Sequence, residues 1–357
     1  MDRKWLGQSK GETTGGENPY VYRGRLMWPL TLLLALAAAA AFAMSLGKYD
    51  IPPADVLRTL LTPIFSSADL SAAADLNHTV VWSLRLPRIL MAMTVGAALA
   101  AAGAVFQGCF RNPLVEPYIL GVSSGAAFGA ALGILFPMFF SIQLFAFIFA
   151  SLAVACTYGF GRVRGETPML TLILAGVITG SVFSAMVSIL KYLARDAALR
   201  EVVFWLMGGF YYTTWEDVAW LLPMVGVCLA IMGKFSWQLN VLSLGDEEAR
   251  SLGVHTEVYR LILIVLATLV TAAAVSTVGI IAWVGLMMPH ATRMLVGPDH
   301  RLMLPSAAVM GGIFMIVCDT LARTMASAEI PIGIITSILG APYLFYLLRT
   351  KTQTGLV

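Results

Sequence analysis

The chain has 357 residues, of which 59% are hydrophobic and 12% charged, with a formal net charge of +3 and a mean hydropathy of +0.82. That composition lies far outside the range of soluble globular domains and marks an integral membrane protein. The small net charge argues against a nucleic-acid binder. Cys109, Cys156, Cys228 and Cys318, standing singly in apolar runs, give no sign of a metal site or a disulfide framework.

Residues 1–27 are polar, glycine-rich and charged and read as a loose tail. The apolar run 28–47 is too long for the core of a signal peptide and reads as a first, uncleaved span. Residues 48–83 are mixed, with Pro52, Pro53 and Pro63, and hold at most a short surface helix around 54–61. Further spans at 88–110, 121–136, 143–160, 170–192, 215–232, 261–278, 281–295, 304–324 and 332–348 bring the total to ten. An even number places both termini on one side. The larger share of the 23 Lys and Arg lies in loops on that side, which makes it the cytoplasm. The predicted division is a cytoplasmic tail 1–27, a ten-span body 28–350 with a cytoplasmic segment at 241–260, and a cytoplasmic tail 351–357. Gly121, Gly125, Gly129 and Gly133 recur at helical spacing, as do Gly96, Ala100 and Gly103. Such stripes predict close backbone approach between spans.

Segment 241–260, VLSLGDEEARSLGVHTEVYR, is the longest charged interruption in the second half of the chain. Ser243-x-x-Asp246 has the form of a capping box, and Asp246, Glu247 and Glu248 suit a helix's first turn. Gly253 sits where a left-handed cap would end that helix. A second helical piece, 256–260, leads into the next apolar run. The pattern predicts a small amphipathic helix pair exposing Leu242, Leu244, Ala249, Leu252 and Val254, a face suited to a soluble partner. An ordinary polar loop is the plainer alternative.

Ten spans point to a transporter and raise the question of its energy source. No GxxxxGK[ST] occurs: Gly47-Lys48 is followed by Tyr49, and Gly233-Lys234 by Phe235. A proton- or sodium-driven carrier is expected to keep acids or histidines at midplane. Here the acid deep in a predicted span is Asp319, with Arg323 one helical turn later as a ready partner. His290 has no partner at i+3 or i+4 and reads as a packing residue, while His78, His255 and His300 fall in loops. Neither energy source is visible within the chain, so segment 241–260 becomes the natural place to receive one.

Four blocks are more specific than these patterns. Arg85-Leu-Pro-Arg88, followed by VGAALAAAGAVFQGCFRNPLVEPYILGVSSGAA, comes first; then LSLGDEEARSLGV, VGIIAWVGLMMPHATRMLVGPDHRLMLP and CDTLARTMASAEIPIGIITSILGAPYLFYLL. In this order they resemble the permease subunits of ABC importers for iron-siderophores, haem and vitamin B12, the FecCD family. The resemblance runs from the first span to Leu348. It implies an all-α integral membrane protein of ABC importer type II permease architecture: ten transmembrane helices, forming a homodimer with its pore on the two-fold axis.

The same resemblance implies residue roles. Gly245, Asp246, Glu247, Ala249, Leu252 and Gly253 would dock an ATPase subunit. Arg85, Arg88 and Arg323 would face outside and pair with glutamates on the two lobes of a substrate-binding protein. Lipid-headgroup anchoring is the alternative for each, and Asp319 is a rival partner for Arg323. Pro87, suited to a first helical turn, would hold the guanidinium groups of Arg85 and Arg88 outward. Asn112 and Leu114, in the Arg111-Asn112-Pro113-Leu114 corner, would belong to a cytoplasmic gate, with a plain helix-ending turn as an equal reading. Where the family often has a polar start to its fifth span, this chain has Thr167-Pro168-Met169-Leu170, which leaves any gate role there in doubt.

The function expected is the permease of an ATP-driven importer in the inner cell membrane. By alternating access it would pass a chelated metal compound (iron-siderophore, haem or corrinoid) from a periplasmic or lipid-anchored binding protein into the cytoplasm. The chain would be no enzyme and would bind no cofactor or metal, with ATP and Mg²⁺ on two partner ATPase subunits. A stand-alone secondary transporter is the alternative. A membrane-bound enzyme is a weaker one, because the spans hold no paired carboxylates, metal cluster or nucleophile–base set.

Overall fold

A computed structural model of the chain describes residues 19–65, 76–137, 141–162 and 167–353, and all regular structure within them is helical. In order come α1 (Pro19–Ser45), α2 (Pro53–Phe65), and a π-helical turn (Thr79–Arg85) that runs into α3 (Leu86–Phe110). A 3-10 turn (Pro117–Leu120) precedes α4 (Val122–Leu135), α5 (Ile142–Gly161), α6 (Met169–Leu193), α7 (Asp196–Met207) and α8 (Trp215–Lys234). The chain continues through α9 (Ser236–Leu242), α10 (Asp246–Ser251), α11 (Thr256–Val278), α12 (Val284–Val296), α13 (His300–Thr324) and α14 (Ile332–Gln353). Most of the predicted tail, residues 1–18, lies outside the described residues, as do residues 354–357. Helix α1 already begins at Pro19, ahead of the predicted first span.

Helix α3 is the axis of the molecule. From Val95 to Phe110 every side chain except that of Ala97 is buried, wrapped by α11, α12 and α13. Its apolar residues surround the whole helix rather than one stripe, which is what a fully enclosed span requires. The small residues explain how the wrapping gets so close. A Cβ at Gly96 would fall onto the Gly311 carbonyl of α13, and one at Gly103 onto the Gly285 carbonyl of α12. Gly125 and Gly129 face the Phe149 and Phe145 carbonyls of α5 in the same way, and Gly133 faces Ile142. Gly121, the first of that stripe, has another task. With φ +82 it turns the 3-10 segment into α4, a conformation that suits a residue without Cβ.

Among the described residues, seven helical runs are long and apolar enough to cross a membrane: residues 27–45, 76–110, 142–161, 169–193, 215–234, 256–278 and 300–324. The other three predicted spans form shorter helices. Helix α4 has 14 residues and α12 has 13, and the apolar part of α14 covers Ile332–Phe345. Each is shorter than the ~20 residues of a single straight crossing. The non-helical backbone beside them is hydrogen-bonded within the protein, as membrane depth demands. Between α11 and α12, for instance, the Ile281 carbonyl accepts from the Tyr118 hydroxyl (2.7 Å) and the Val278 carbonyl from the Gly209 amide (2.8 Å).

Helix α7 lies between the predicted spans 170–192 and 215–232, where hydropathy gives no span. Its polar positions Asp196, Arg200 and Glu201 alternate with Val202 and Trp205, a short amphipathic pattern that hydropathy over a span-length window averages away. Helix α2, by contrast, lies where a surface helix was expected.

Candidate functional site

The two ends of α3 carry two separate clusters. At its C-terminal end Arg111 closes the helix with φ 51, and Asn112 Oδ1 accepts from the Leu114 amide (2.9 Å), a local turn that leaves Leu114 exposed. Helix α9 packs against this end, with the Ser243 hydroxyl donating to the Leu239 carbonyl (2.8 Å) and reaching the Gly108 carbonyl (3.4 Å). The corner at 111–114 and the segment at 245–253, far apart in sequence, are therefore neighbours.

The segment is built differently from the capping-box expectation. Ser243 ends α9, and the residue preceding α10 is Gly245, at φ +147 and buried. Asp246, Glu247 and Glu248 do occupy the first turn of α10, and Gly253 takes the left-handed position after it (φ +77). The predicted apolar face divides. Leu244 and Leu252 are exposed at 64% and 56%, whereas Leu242, Ala249 and Val254 are buried beneath them. A six-residue helix cannot hold itself together in water, so it spends Ala249 and Val254 on anchoring against Val241 and Tyr259.

Arg260 supplies the rest of the anchor, and nothing in the sequence pattern singles it out. It is 2% exposed, lies one turn into α11, pairs with Glu257 at 3.0 Å and also grips the Asp246 carboxylate. Glu257 in turn accepts from the Thr167 hydroxyl. The unexpected Thr167-Pro168 start of α6 is thus tied through Glu257 and Arg260 to Asp246. A continuous chain of polar contacts therefore joins α10 to α11 and to the residue before α6.

At the opposite end of α3 the three arginines Arg85, Arg88 and Arg323 come together, though not as outward-facing groups. Arg85 donates to the carbonyls of Met44 and Tyr49 and is buried. Arg88, 12% exposed, pairs with Asp319 (2.8 Å) and Glu329 (2.9 Å). Arg323 shares Asp319 (3.0 Å) and donates to the carbonyls of Leu46 and Ala43 (both 3.3 Å). The expectation of guanidinium groups held outward by Pro87 is corrected. The C-terminal carbonyls of α1, left without intrahelical partners, draw Arg85 and Arg323 inward, and Asp319 holds Arg88. The i,i+4 pair Asp319–Arg323 is present, with Arg88 as a third member and Glu329 a fourth.

His300 also departs from expectation. It opens α13 and is buried, with Nδ1 2.7 Å from Asn240 Oδ1. His290 is buried and meets Tyr343 edge-on. No group of three His, Cys, Asp or Glu is arranged to hold a metal among the described residues.

A model of the FecCD transport family matches residues 33–350, nearly the whole body described above. The chain belongs to the FecCD transport family. It is 39% identical to the cobalamin import system permease protein of Halobacterium salinarum over 96% of this chain and 93% of that protein. It is also 39% identical to the molybdate import system permease protein of Haemophilus influenzae, over 93% of this chain and 97% of the relative. A solved structure described as an inward-facing, metal-chelate type ABC transporter superposes with a TM-score of 0.79 at 38% identity, covering 90% of this chain and 98% of the other. This FecCD-family chain is therefore a multi-pass membrane permease subunit of an ABC transporter and no enzyme itself, the ATPase residing on a separate subunit.

Proposed function

We propose that the chain is the permease of an ATP-driven importer, a homodimer of ten-span subunits in the inner cell membrane with both termini in the cytoplasm. Two ATPase subunits, carrying ATP and Mg²⁺, dock on Gly245, Asp246, Glu247, Ala249, Leu252 and Gly253. A binding protein delivers cargo at the arginine end. What carries the reading is the placement of the 111–114 corner beside the 245–253 segment, clamped by Arg260, with the charged cluster at the far end of α3. Nucleotide-driven movement of α10 would reach the Asn112–Leu114 corner through Gly245, which lies beside the Arg111 guanidinium, and the start of α6 through Thr167, which is what a cytoplasmic gate needs in order to follow the ATPase. Gly245 and Ala249 support the docking face from beneath, while Glu247, Leu252 and Gly253 present it.

The cargo proposed is a chelated metal compound, an iron-siderophore, haem or corrinoid. The cobalamin relative and the metal-chelate description of the superposed structure support that class. The molybdate relative shows that a small oxyanion is also carried by a permease of this kind.

Uptake into liposomes containing the permease, its ATPase and the binding protein tests the energy source. Transport is expected to need hydrolysable ATP and the binding protein and to continue when an ionophore collapses the ion gradients. Uptake that follows the gradient and ignores ATP would establish the secondary-transporter alternative.

A further inference from the structure

A crevice of about 490 Å³ opens between the C-terminal end of α3, α9, α12 and the start of α13, with Leu244 on its rim. Two arginines line it, Arg111 and Arg293, and neither makes an ion pair with any described residue. Arg293 is half-buried, and its Nη2 donates to the neutral Oε1 of Gln107 (3.2 Å). Gln107 is itself fixed by Nε2 bonds to the carbonyls of Leu286 (3.2 Å) and Gly285 (3.4 Å), so it holds Arg293 in place without neutralising it. Asp299 also lines the crevice; its Oδ1 accepts from Asn240 Nδ2 (2.6 Å) and from the Arg301 amide (3.0 Å) as the cap of α13, and it forms an ion pair with neither arginine. The 25-residue α13 adds the partial positive charge of its N-terminus.

Two details set this crevice apart from an ordinary basic surface. Arg111 closes α3 in the left-handed conformation (φ 51), where glycine or asparagine is favoured and a long side chain is not. Asn112 stands next to it and would cap better. Arg111 is thus unfavourable for the backbone and makes no ion pair among the described residues, although its guanidinium and the Glu248 carboxylate both lie beside Gly245. The second detail is His300, buried on the crevice wall, whose Nε2 has no hydrogen-bond partner and lies toward the Gly108 backbone. The crevice thus holds two guanidinium groups without a direct ion pair among the described residues and, in its wall, a buried polar atom without a hydrogen-bond partner.

We propose that the crevice is a socket for a carboxylate of the ATPase subunit: an Asp or Glu side chain of that partner enters between Arg111 and Arg293, beside the coupling segment. This rests on the ATPase-docking reading of 245–253 given above. A partner seated on Leu244 and Leu252 also covers the crevice mouth and strips water from both guanidinium groups. Burying them unpaired is costly, so the partner has to bring a negative charge. Two guanidinium forks facing one carboxylate also give directional hydrogen bonds, which fix the register between the subunits as a diffusing ion does not.

Permease and ATPase co-purified in detergent, with retained ATPase titrated at several salt concentrations, decide the matter. Arg111→Gly relieves the backbone while deleting the charge. It is expected to leave the permease's melting temperature equal or higher, yet to weaken ATPase binding tenfold or more and flatten its salt dependence. Arg293→Gln should do likewise, and Arg111→Glu should be rescued by an acid-to-lysine change on the ATPase's permease-facing surface. Full ATPase binding by Arg111→Gly and Arg293→Gln, alongside loss in Glu247→Lys/Glu248→Lys, overturns the socket and leaves the docking segment standing. Full binding by all of these variants overturns both. If millimolar inorganic phosphate raises the melting temperature of the isolated permease through Arg111 and Arg293 while ATPase binding ignores both residues, the site is for a small oxyanion and the proposal fails.

Discussion

Gly103 and Gly226 are both glycines in apolar helices, yet their surroundings predict opposite outcomes. A Cβ at Gly103 meets the Gly285 backbone, which cannot move aside, so Gly103→Val is expected to abolish monodisperse protein on size-exclusion chromatography. Nothing lies within 4 Å of a Cβ at Gly226, so Gly226→Ala should be neutral or raise stability by about 0.5–1 kcal/mol. Charge follows the same logic. Asp319, 1% exposed, holds Arg88 and Arg323 together, so Asp319→Asn leaves two buried guanidinium groups short of a counter-charge and should cost about 3–5 kcal/mol in thermal melting. Glu329 is 29% exposed and holds Arg88 alone, so Glu329→Gln should cost about 1 kcal/mol or less. Equal losses in the two variants would mean that the cluster is not organised around Asp319.

At the scale of the element, α10 is too short to be autonomous, and its position is imposed by Ala249, Val254 and the Asp246–Arg260 pair. Glu247 and Glu248 are exposed in its first turn and make no ion pair among the described residues. Replacing both by Lys reverses the favourable interaction with the helix dipole, and Gly253→Val forces a β-branched residue to φ +77. Either change should leave the permease folded by melting temperature while ATPase retention and ATP-dependent uptake fall by tenfold or more. Wild-type retention in both would remove the segment from the interface. A second element-scale effect concerns Asp299. Burial alone would raise its pKa, but the Arg301 amide, the Asn240 side chain and the nearby charges of Arg301 and His300 outweigh that and hold it below the ordinary carboxylate range. The stabilisation it gives α13 is therefore present above the unfolded-state pKa and lost only as pH falls through the lower folded one.

At the scale of the whole molecule, the end of α3 opposite the coupling segment gathers α1, α3, α13 and the 325–331 turn around one charged cluster. If Arg88 docks the binding protein, it has to exchange Asp319 and Glu329 for a partner's glutamates. An Arg85→Glu/Arg88→Glu variant should then lose binding-protein docking, and a matching Glu→Arg change on the binding protein should restore part of it. Lower membrane yield with no such rescue would assign the arginines to lipid anchoring or to the internal framework. Among the described residues Arg85 is hydrogen-bonded to backbone carbonyls and makes no ion pair, so the single Arg88→Glu variant should be the better rescued of the two.

What the sequence determined by itself was whatever depends on local chemistry. Apolar runs of span length, glycine stripes at helical spacing, the acidic first turn of α10 and the left-handed Gly253 all act within one helix or against whichever neighbour comes close. The family blocks carried the permease assignment in the same way. Three features needed the tertiary structure. Short spans such as α4 and α12 are completed by non-helical backbone that only neighbouring elements satisfy, as Tyr118 does for Ile281. Arg260, an unremarkable residue in sequence, became the clamp of the coupling segment because the fold buries it beside Asp246. Arg85 and Arg323 turned inward because the carbonyls at the end of α1 lie within their reach, and Arg88 because Asp319 and Glu329 do. The destination of a long charged side chain is set by whichever unsatisfied partner the packing brings nearest, and that is decided by residues tens or hundreds of positions away.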